Sequence, residues 1–91
     1  MNAILRDVVV INEFGLHARA AAKIAEIARQ ANYNVWIIKD TKKVDASSIL
    51  DILTLECTQR SKITLKIDDQ SDRTILDNIL KQFEIGFGEL I

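Results

Sequence analysis

The sequence predicts an open-faced α/β (α+β) sandwich, a four-stranded antiparallel sheet covered on one face by three helices in the order βαββαβα. Three observations predict it. Short β-branched and aliphatic runs alternate with segments whose apolar residues recur at helical spacing. One run, KITLKID (62–68), alternates strictly, with Ile63, Leu65 and Ile67 on one face and Thr64 and Lys66 on the other, the pattern of a sheet buried on one side. The connections are short clusters of Asn, Asp, Ser, Thr and Gly, with no proline in 91 residues, so one domain over 1–91 is expected rather than units joined by a linker. Periodicity alone permits other strand orders.

Residues 4–11, ILRDVVVI, form the first expected strand, ending at the Asn12–Gly15 turn. From Ala20 the residues Ala20, Ile24, Ile27, Ala28 and Ala31 fall on one helical face, with Lys23, Glu26 and Gln30 away from it. Asn32 and Asn34 are expected to break that helix. VWIIK (35–39) and KVD (43–45), joined by a turn at 40–42, read as a hairpin. Ser48 and Asp51 stand at capping-box spacing, so a short helix is expected to run to about Leu55. After the 62–68 strand and the DDQSD turn, a last helix from near Asp72 places Ile75, Leu76, Ile79, Leu80 and Phe83 inward. Gly86 suits its left-handed cap.

Composition narrows the function. Hydrophobic residues make up 48% and charged residues 27%, the balance of a soluble folded chain. Twelve basic and 13 acidic residues, scattered rather than blocked, give a net charge of −1 and no footprint for nucleic acid. No apolar run approaches the roughly 20 residues of a membrane-spanning helix, and MNAILRDVVV carries charge too early for a signal-peptide core. A cytoplasmic protein without membrane insertion is expected. Cys57 is the only cysteine, which excludes an internal disulfide and a cysteine metal cluster. Its expected apolar-helix surroundings make it a buried, inert thiol. Neither cofactor nor metal is expected.

His17, the only histidine, follows Gly15 by two residues and stands where a helix begins. A helix start leaves backbone N–H groups unpaired and carries partial positive charge, so it favours an anion. Gly15 permits a sharp turn, and Arg19 offers a guanidinium to an anion held at the same helix end. An imidazole that is uncharged part of the time near neutral pH can attack phosphorus and hold it as a phosphoramidate. Each electrostatic contact at such an exposed end is worth only about 0.3–1 kcal/mol. So modest a hold suits a carrier that must release its cargo.

GLHARAAA (15–22) resembles the active-site signature of HPr, the histidine-containing phosphocarrier family of the bacterial sugar phosphotransferase system, and VDASSILDILTL (44–55) resembles its regulatory-serine segment. The similarity extends through FGEL near the end of the chain. It implies the βαββαβα fold and a phosphoryl group accepted on His17 Nδ1 from phosphorylated enzyme I, charged by phosphoenolpyruvate, and passed to an enzyme IIA. Arg19 would steady the phosphohistidine. Ser48 matches the serine that HPr kinase/phosphorylase modifies in some bacteria, beside its plain role as a cap. Ile49, Leu50 and Leu53 match the family's partner-docking positions. By helical spacing Ile49, Ile52 and Leu53 also serve the core, which makes Leu50 the best candidate for an exposed contact.

Three positions depart from the family pattern. Ala20 replaces a proline that would pre-set the first helical turn, so a looser entrance and slower transfer are expected. Glu56 and Ser61 replace glycines near the end of the second helix, and a carboxylate close to the site would repel phosphate or an acidic partner. A further expectation concerns the uncovered sheet face. If Val8, Val10, Val35 and Ile37 point inward, Val9, Ile11, Trp36 and Ile38 point outward, and so apolar a face suggests a protein contact there, a homodimer through Trp36 and Ile38 or a non-standard partner.

The leading functional expectation is a phosphoryl carrier and not an autonomous enzyme, since a nucleophile and an anion cradle are present without a metal set, a nucleotide loop or an acid–base partner. The runner-up is a regulatory module of the same fold working through Ser48 or protein contacts. A small-ligand-binding α/β domain is the third reading.

Overall fold

A computed structural model describes residues 2–89. In chain order it contains β1 (Ile4–Val9), α1 (Ala18–Ala28), β2 (Val35–Lys39), β3 (Lys42–Asp45), α2 (Ile49–Leu53), β4 (Lys62–Ile67) and α3 (Arg73–Glu84), with 3₁₀ turns at Gln70–Asp72 and Gly86–Gly88. The strands form one antiparallel sheet in the order β1-β4-β2-β3. The expected open-faced sandwich is what the chain adopts.

The core lies between the sheet and the helices. Val35, Ile37, Ile63, Leu65 and Ile67 supply the sheet side, and Ala20, Ala21, Ile24, Ile52, Leu76, Ile79 and Phe83 the helical side, all buried. The small buried alanines of α1 let it lie close against α2 and α3. Leu65, fully enclosed on a central strand, is expected to cost about 2–5 kcal/mol when cut to alanine, read as a lower urea midpoint, because a cavity remains where the isobutyl group stood.

Several element ends differ from expectation, each for a local reason. Helix α1 starts at Ala18 and stops at Ala28, before Ala31. Its last amides, Gln30 and Ala31, turn to the carbonyls of Ile27 and Ala28 in tight three-residue bonds. The buried carboxylate of Asp72 then accepts the N–H groups of Asn32 and Tyr33 (2.8 and 2.9 Å) and ties that exit to the start of α3. The hairpin turn is only Asp40–Thr41, with Lys39 paired to Lys42; Asp40 takes a left-handed φ of 55°. Helix α2 ends at Leu53 rather than near Leu55, and Lys39 and Lys42 donate to the carbonyls of Thr54, Leu55 and Glu56 at its C-terminus. Cys57 lies in the loop beyond it and not in a helical setting. It is buried all the same, and burial pushes its thiol up, with the Lys39 charge opposing.

Positive φ falls on Glu56 (51°) and Arg60 (77°), and not on Ser61. A side chain costs about 1–2 kcal/mol there, and glycine gives back part of that in unfolded-state entropy. Glu56→Gly is therefore expected to stabilise by about 0.5–1 kcal/mol net, as a higher urea midpoint.

On the open sheet face the inward and outward alternation is as expected. Val9 and Ile11 are exposed, and Trp36 and Ile38 are half-buried. The Trp36 indole N–H donates to the Asp68 carboxylate (3.1 and 3.2 Å), and the Lys43 ammonium sits 4.3 Å from its ring centroid. Much of the indole is therefore covered by its own chain.

Candidate functional site

The loop between β1 and α1 is held from both sides. Val10 pairs with the next strand region through Val10 N–H to Ser61 O (2.9 Å) and Arg60 N–H to Val10 O (2.7 Å). Leu16 N–H donates to Cys57 O (2.9 Å). Gly15 lies against that same carbonyl at φ 62°, where a Cβ would stand 2.2 Å from Cys57 O. Only glycine fits both the conformation and the space.

That turn delivers His17 to the N-cap of α1. Its carbonyl accepts the Ala21 N–H (2.9 Å), the first bond of the helix, so the amides of Ala18, Arg19 and Ala20 have no intrahelical carbonyl to meet. The imidazole takes one of them: Arg19 N–H donates to Nδ1 at 3.2 Å. Nδ1 thus carries the lone pair, turned toward the positive end of the helix. The ring stays reachable, its side chain 25% exposed, with Phe14 edge-on to it at 6.2 Å between centroids.

On the opposite side of the ring Nε2 donates to the Glu89 carboxylate. A carboxylate only accepts, so Nε2 bears the hydrogen. Glu89 is placed by the turn after α3, where Gly86, Phe87 and Gly88 all have left-handed φ (59°, 57° and 76°). Phe87 holds this conformation while buried against Phe83, ring centroids 5.0 Å apart, and Lys23 donates to its carbonyl at 2.7 Å. The second Glu89 oxygen accepts from Asn12 Nδ2 at 2.9 Å, and the same amide donates to Gly15 O at 2.8 Å.

The Asn12 amide foremost holds the Glu89 carboxyl below the usual carboxylate range; burial pushes it upward, and the His17 bond and the charges of His17 and Arg19, each a smaller effect than burial, add to the lowering. A folded carboxyl that releases its proton at lower pH than the unfolded one stabilises the fold fully above the ordinary glutamate range. That contribution disappears as pH falls through and below this range. The carboxylate against the imidazole is therefore Glu89, not Glu56, whose neighbours are Lys39, Lys42 and the hairpin turn.

Arg19 is exposed on the first turn of α1, and its charge reaches Glu89. Ala20, in place of proline, is fully buried in that turn and leaves the helix start intact. Ser48 caps α2, accepting the Asp51 N–H at 3.2 Å. The reciprocal half of a capping box is absent, because Ser48 N–H donates to Asp45 O instead (3.1 Å). Arg29, at the opposite end of α1 from His17, donates to Ser47 O, next to Ser48. From there α2 runs back toward the Cys57–Leu16 contact. Along it Leu50 is 76% exposed, Ile49 and Leu53 are partly buried, and Ile52 is enclosed.

Asn12 and Glu89 were not distinguishable in the sequence as parts of the site. The available signal for Glu89 was a carboxylate just after a glycine-flanked phenylalanine at the end of the last helix.

Comparison with known proteins bears on this geometry. The family model described as the PTS HPr component phosphorylation site matches residues 4–84. Phosphocarrier protein NPr of Shewanella violacea is 36% identical over 89 residues, 98% of each chain. Phosphocarrier protein HPr of Cupriavidus necator is 34% identical over 84 residues, 92% of this chain and 94% of that one. Among solved structures, HPr-C-His from Thermoanaerobacter tengcongensis superposes with a TM-score of 0.85 at 30% identity, covering 100% of both chains. An HPr dimer from the same organism gives 0.69 at 31% identity over 90% of this chain and 94% of that one. With an imidazole at a helix start inside this sheet order, and a family model spanning nearly all of it, the chain belongs to the HPr family of phosphotransferase-system phosphocarriers.

Proposed function

We propose that His17 Nδ1 accepts a phosphoryl group from phosphorylated enzyme I and gives it to an enzyme IIA in the cytoplasm. One observation carries the reading: the Nδ1 lone pair of a reachable imidazole faces the unpaired amides of a helix start. As the phosphorus–nitrogen bond forms, the bond to the donor breaks and its electron pair leaves with the donor. The Arg19 N–H, released from Nδ1, turns to a phosphate oxygen, and the Arg19 guanidinium supplies the paired charge. Exposed Phe14 and Leu50, with Ile49 and Leu53 beneath, form the apolar docking surface for both partners. The test is incubation with enzyme I and phosphoenolpyruvate. An acid-labile phosphate on His17 is expected, and its absence overturns the reading.

Regulation through Ser48 by HPr kinase/phosphorylase is a second reading, favoured by a partly exposed hydroxyl at a helix start. Asp51 in the first turn opposes added negative charge there. An acid-stable label lost in Ser48→Ala is the result that supports this regulation, and no label after incubation with the kinase removes it.

For self-association through the open sheet face, Val9, Ile11 and Ile38 are the residues left for a second copy once Trp36 is tied to Asp68. Sedimentation that grows with concentration in the native chain and not in Val9→Glu is expected. A monomer at every concentration rejects the dimer.

A further inference from the structure

The amide of Asn12 is fully buried, and both hydrogens of its Nδ2 are spent on the site, one on Gly15 O (2.8 Å) and one on Glu89 (2.9 Å). Its Oδ1 is buried without a hydrogen-bond partner among the described residues. An orphaned buried carbonyl costs about 1–3 kcal/mol, so packing alone favours an apolar residue of the same shape at this position. The residue is accounted for by what its two hydrogens hold. One fixes the loop that delivers His17; the other fixes the carboxylate that grips the ring.

We propose that Asn12 and Glu89 are a positioning pair that keeps the hydrogen of His17 on Nε2 through the whole transfer cycle. The proposal rests on the carrier reading and deepens it. Glu89 accepts at two oxygens, from Asn12 on one and from His17 on the other. With the hydrogen held on Nε2, Nδ1 enters the reaction as a neutral nucleophile. The phosphorylated ring carries a formal positive charge facing Glu89. When the phosphorus–nitrogen bond breaks toward the acceptor, its electron pair returns to Nδ1 and the ring departs as a neutral imidazole. No proton has to enter or leave the ring in either direction, and an imidazolate, a far poorer leaving group, is never formed.

The charged groups facing this ring are few. Glu89 comes from the C-terminal turn and Arg19 from α1, while Lys23, one turn further along α1, is committed to the Phe87 carbonyl. Strain supports the assignment. Phe87 accepts a left-handed φ of 57° inside the turn that presents Glu89, and residues held in such conformations concentrate where a side chain must be aimed.

The decisive variant is Glu89→Gln, which keeps the shape and replaces two acceptors by one acceptor and one donor. With its oxygen on Asn12, its NH₂ faces Nε2 and disfavours a hydrogen there, against the Arg19 N–H that still favours a lone pair on Nδ1; the fraction of rings with hydrogen on Nδ1, where it blocks the nucleophile, rises. Nitrogen-15 NMR of the ring is expected to show Nε2–H in the native chain and a shift toward Nδ1–H in Glu89→Gln. Phosphoryl transfer from enzyme I should fall about 10- to 100-fold, by analogy with the loss that follows removal of the orienting partner of a metal-bound imidazole. Asn12→Leu, which fills the same space without donors, is expected to move the Glu89 titration back toward the ordinary glutamate range and to slow transfer in the same direction. Circular dichroism and the urea midpoint report whether each variant is folded, and Glu89→Gln, near the surface, keeps the test open if Asn12→Leu does not fold. Unchanged tautomer and transfer rate in folded Glu89→Gln overturn the pair while leaving the carrier reading intact. Failure of the native chain to take phosphate at all overturns the carrier reading.

Discussion

A His17→Ala chain is expected to take up no acid-labile phosphate from enzyme I and phosphoenolpyruvate, a complete loss rather than a slowing. It is the only imidazole in the sequence, so no other ring nitrogen can stand in for it. The fold should survive. His17 packs at the surface against Phe14 and Glu89 and not in the core, and its backbone carbonyl, which opens α1, is unaffected by the side chain. What is lost structurally is the cap bond from the Arg19 amide to Nδ1, about 0.5–2 kcal/mol, and the part-exposed Nε2 bond to Glu89. A matching circular dichroism spectrum with a slightly lower urea midpoint, together with absent label, separates loss of the acceptor from loss of the fold. A label that persists in His17→Ala would place the phosphate elsewhere, and its stability to acid would point to Ser48.

The second large effect is expected at Gly15. In Gly15→Ala the new methyl would stand 2.2 Å from the Cys57 carbonyl oxygen, and that atom belongs to backbone that cannot rotate away. Left-handed strain at φ 62° adds about 1–2 kcal/mol, so a total near 2–4 kcal/mol of lost stability is expected by urea denaturation. The relief available is to separate the 12–16 loop from the Cys57 segment, which breaks the Leu16 N–H to Cys57 bond and pulls the Gly15 carbonyl off Asn12. Transfer should therefore fall even at temperatures where the variant is fully folded. An active, undisturbed Gly15→Ala chain would mean that the loop is looser than this packing describes.

The parts of the molecule that could be seen in the sequence are those whose cause is local. Strict alternation in 62–68 identified β4 and its buried face, and Gly15, His17 and Arg19 lie within five residues of one another, so their joint meaning did not depend on the fold. Asn12 and Glu89 were out of reach for the opposite reason. They stand 77 residues apart and meet only once β1 and the C-terminal turn have been packed together. An asparagine beside a glycine reads as turn chemistry, and a glutamate after a helix reads as solvated surface. The outer face shows a third case. Parity placed Trp36 outward, but the Asp68 carboxylate and the Lys43 ammonium that cover it are tertiary partners with no periodic signature.

The outermost ladder has a kinetic consequence. Ile4 is registered with Ile67 and Val9 with Lys62, so β1 can dock only after a loop spanning most of the polypeptide has closed, an entropically slow event. The histidine loop is continuous with that strand. Chains that have collapsed but not yet zipped their amino-terminal edge would carry a flexible, unaimed imidazole, making competence for phosphorus one of the last properties to emerge during refolding.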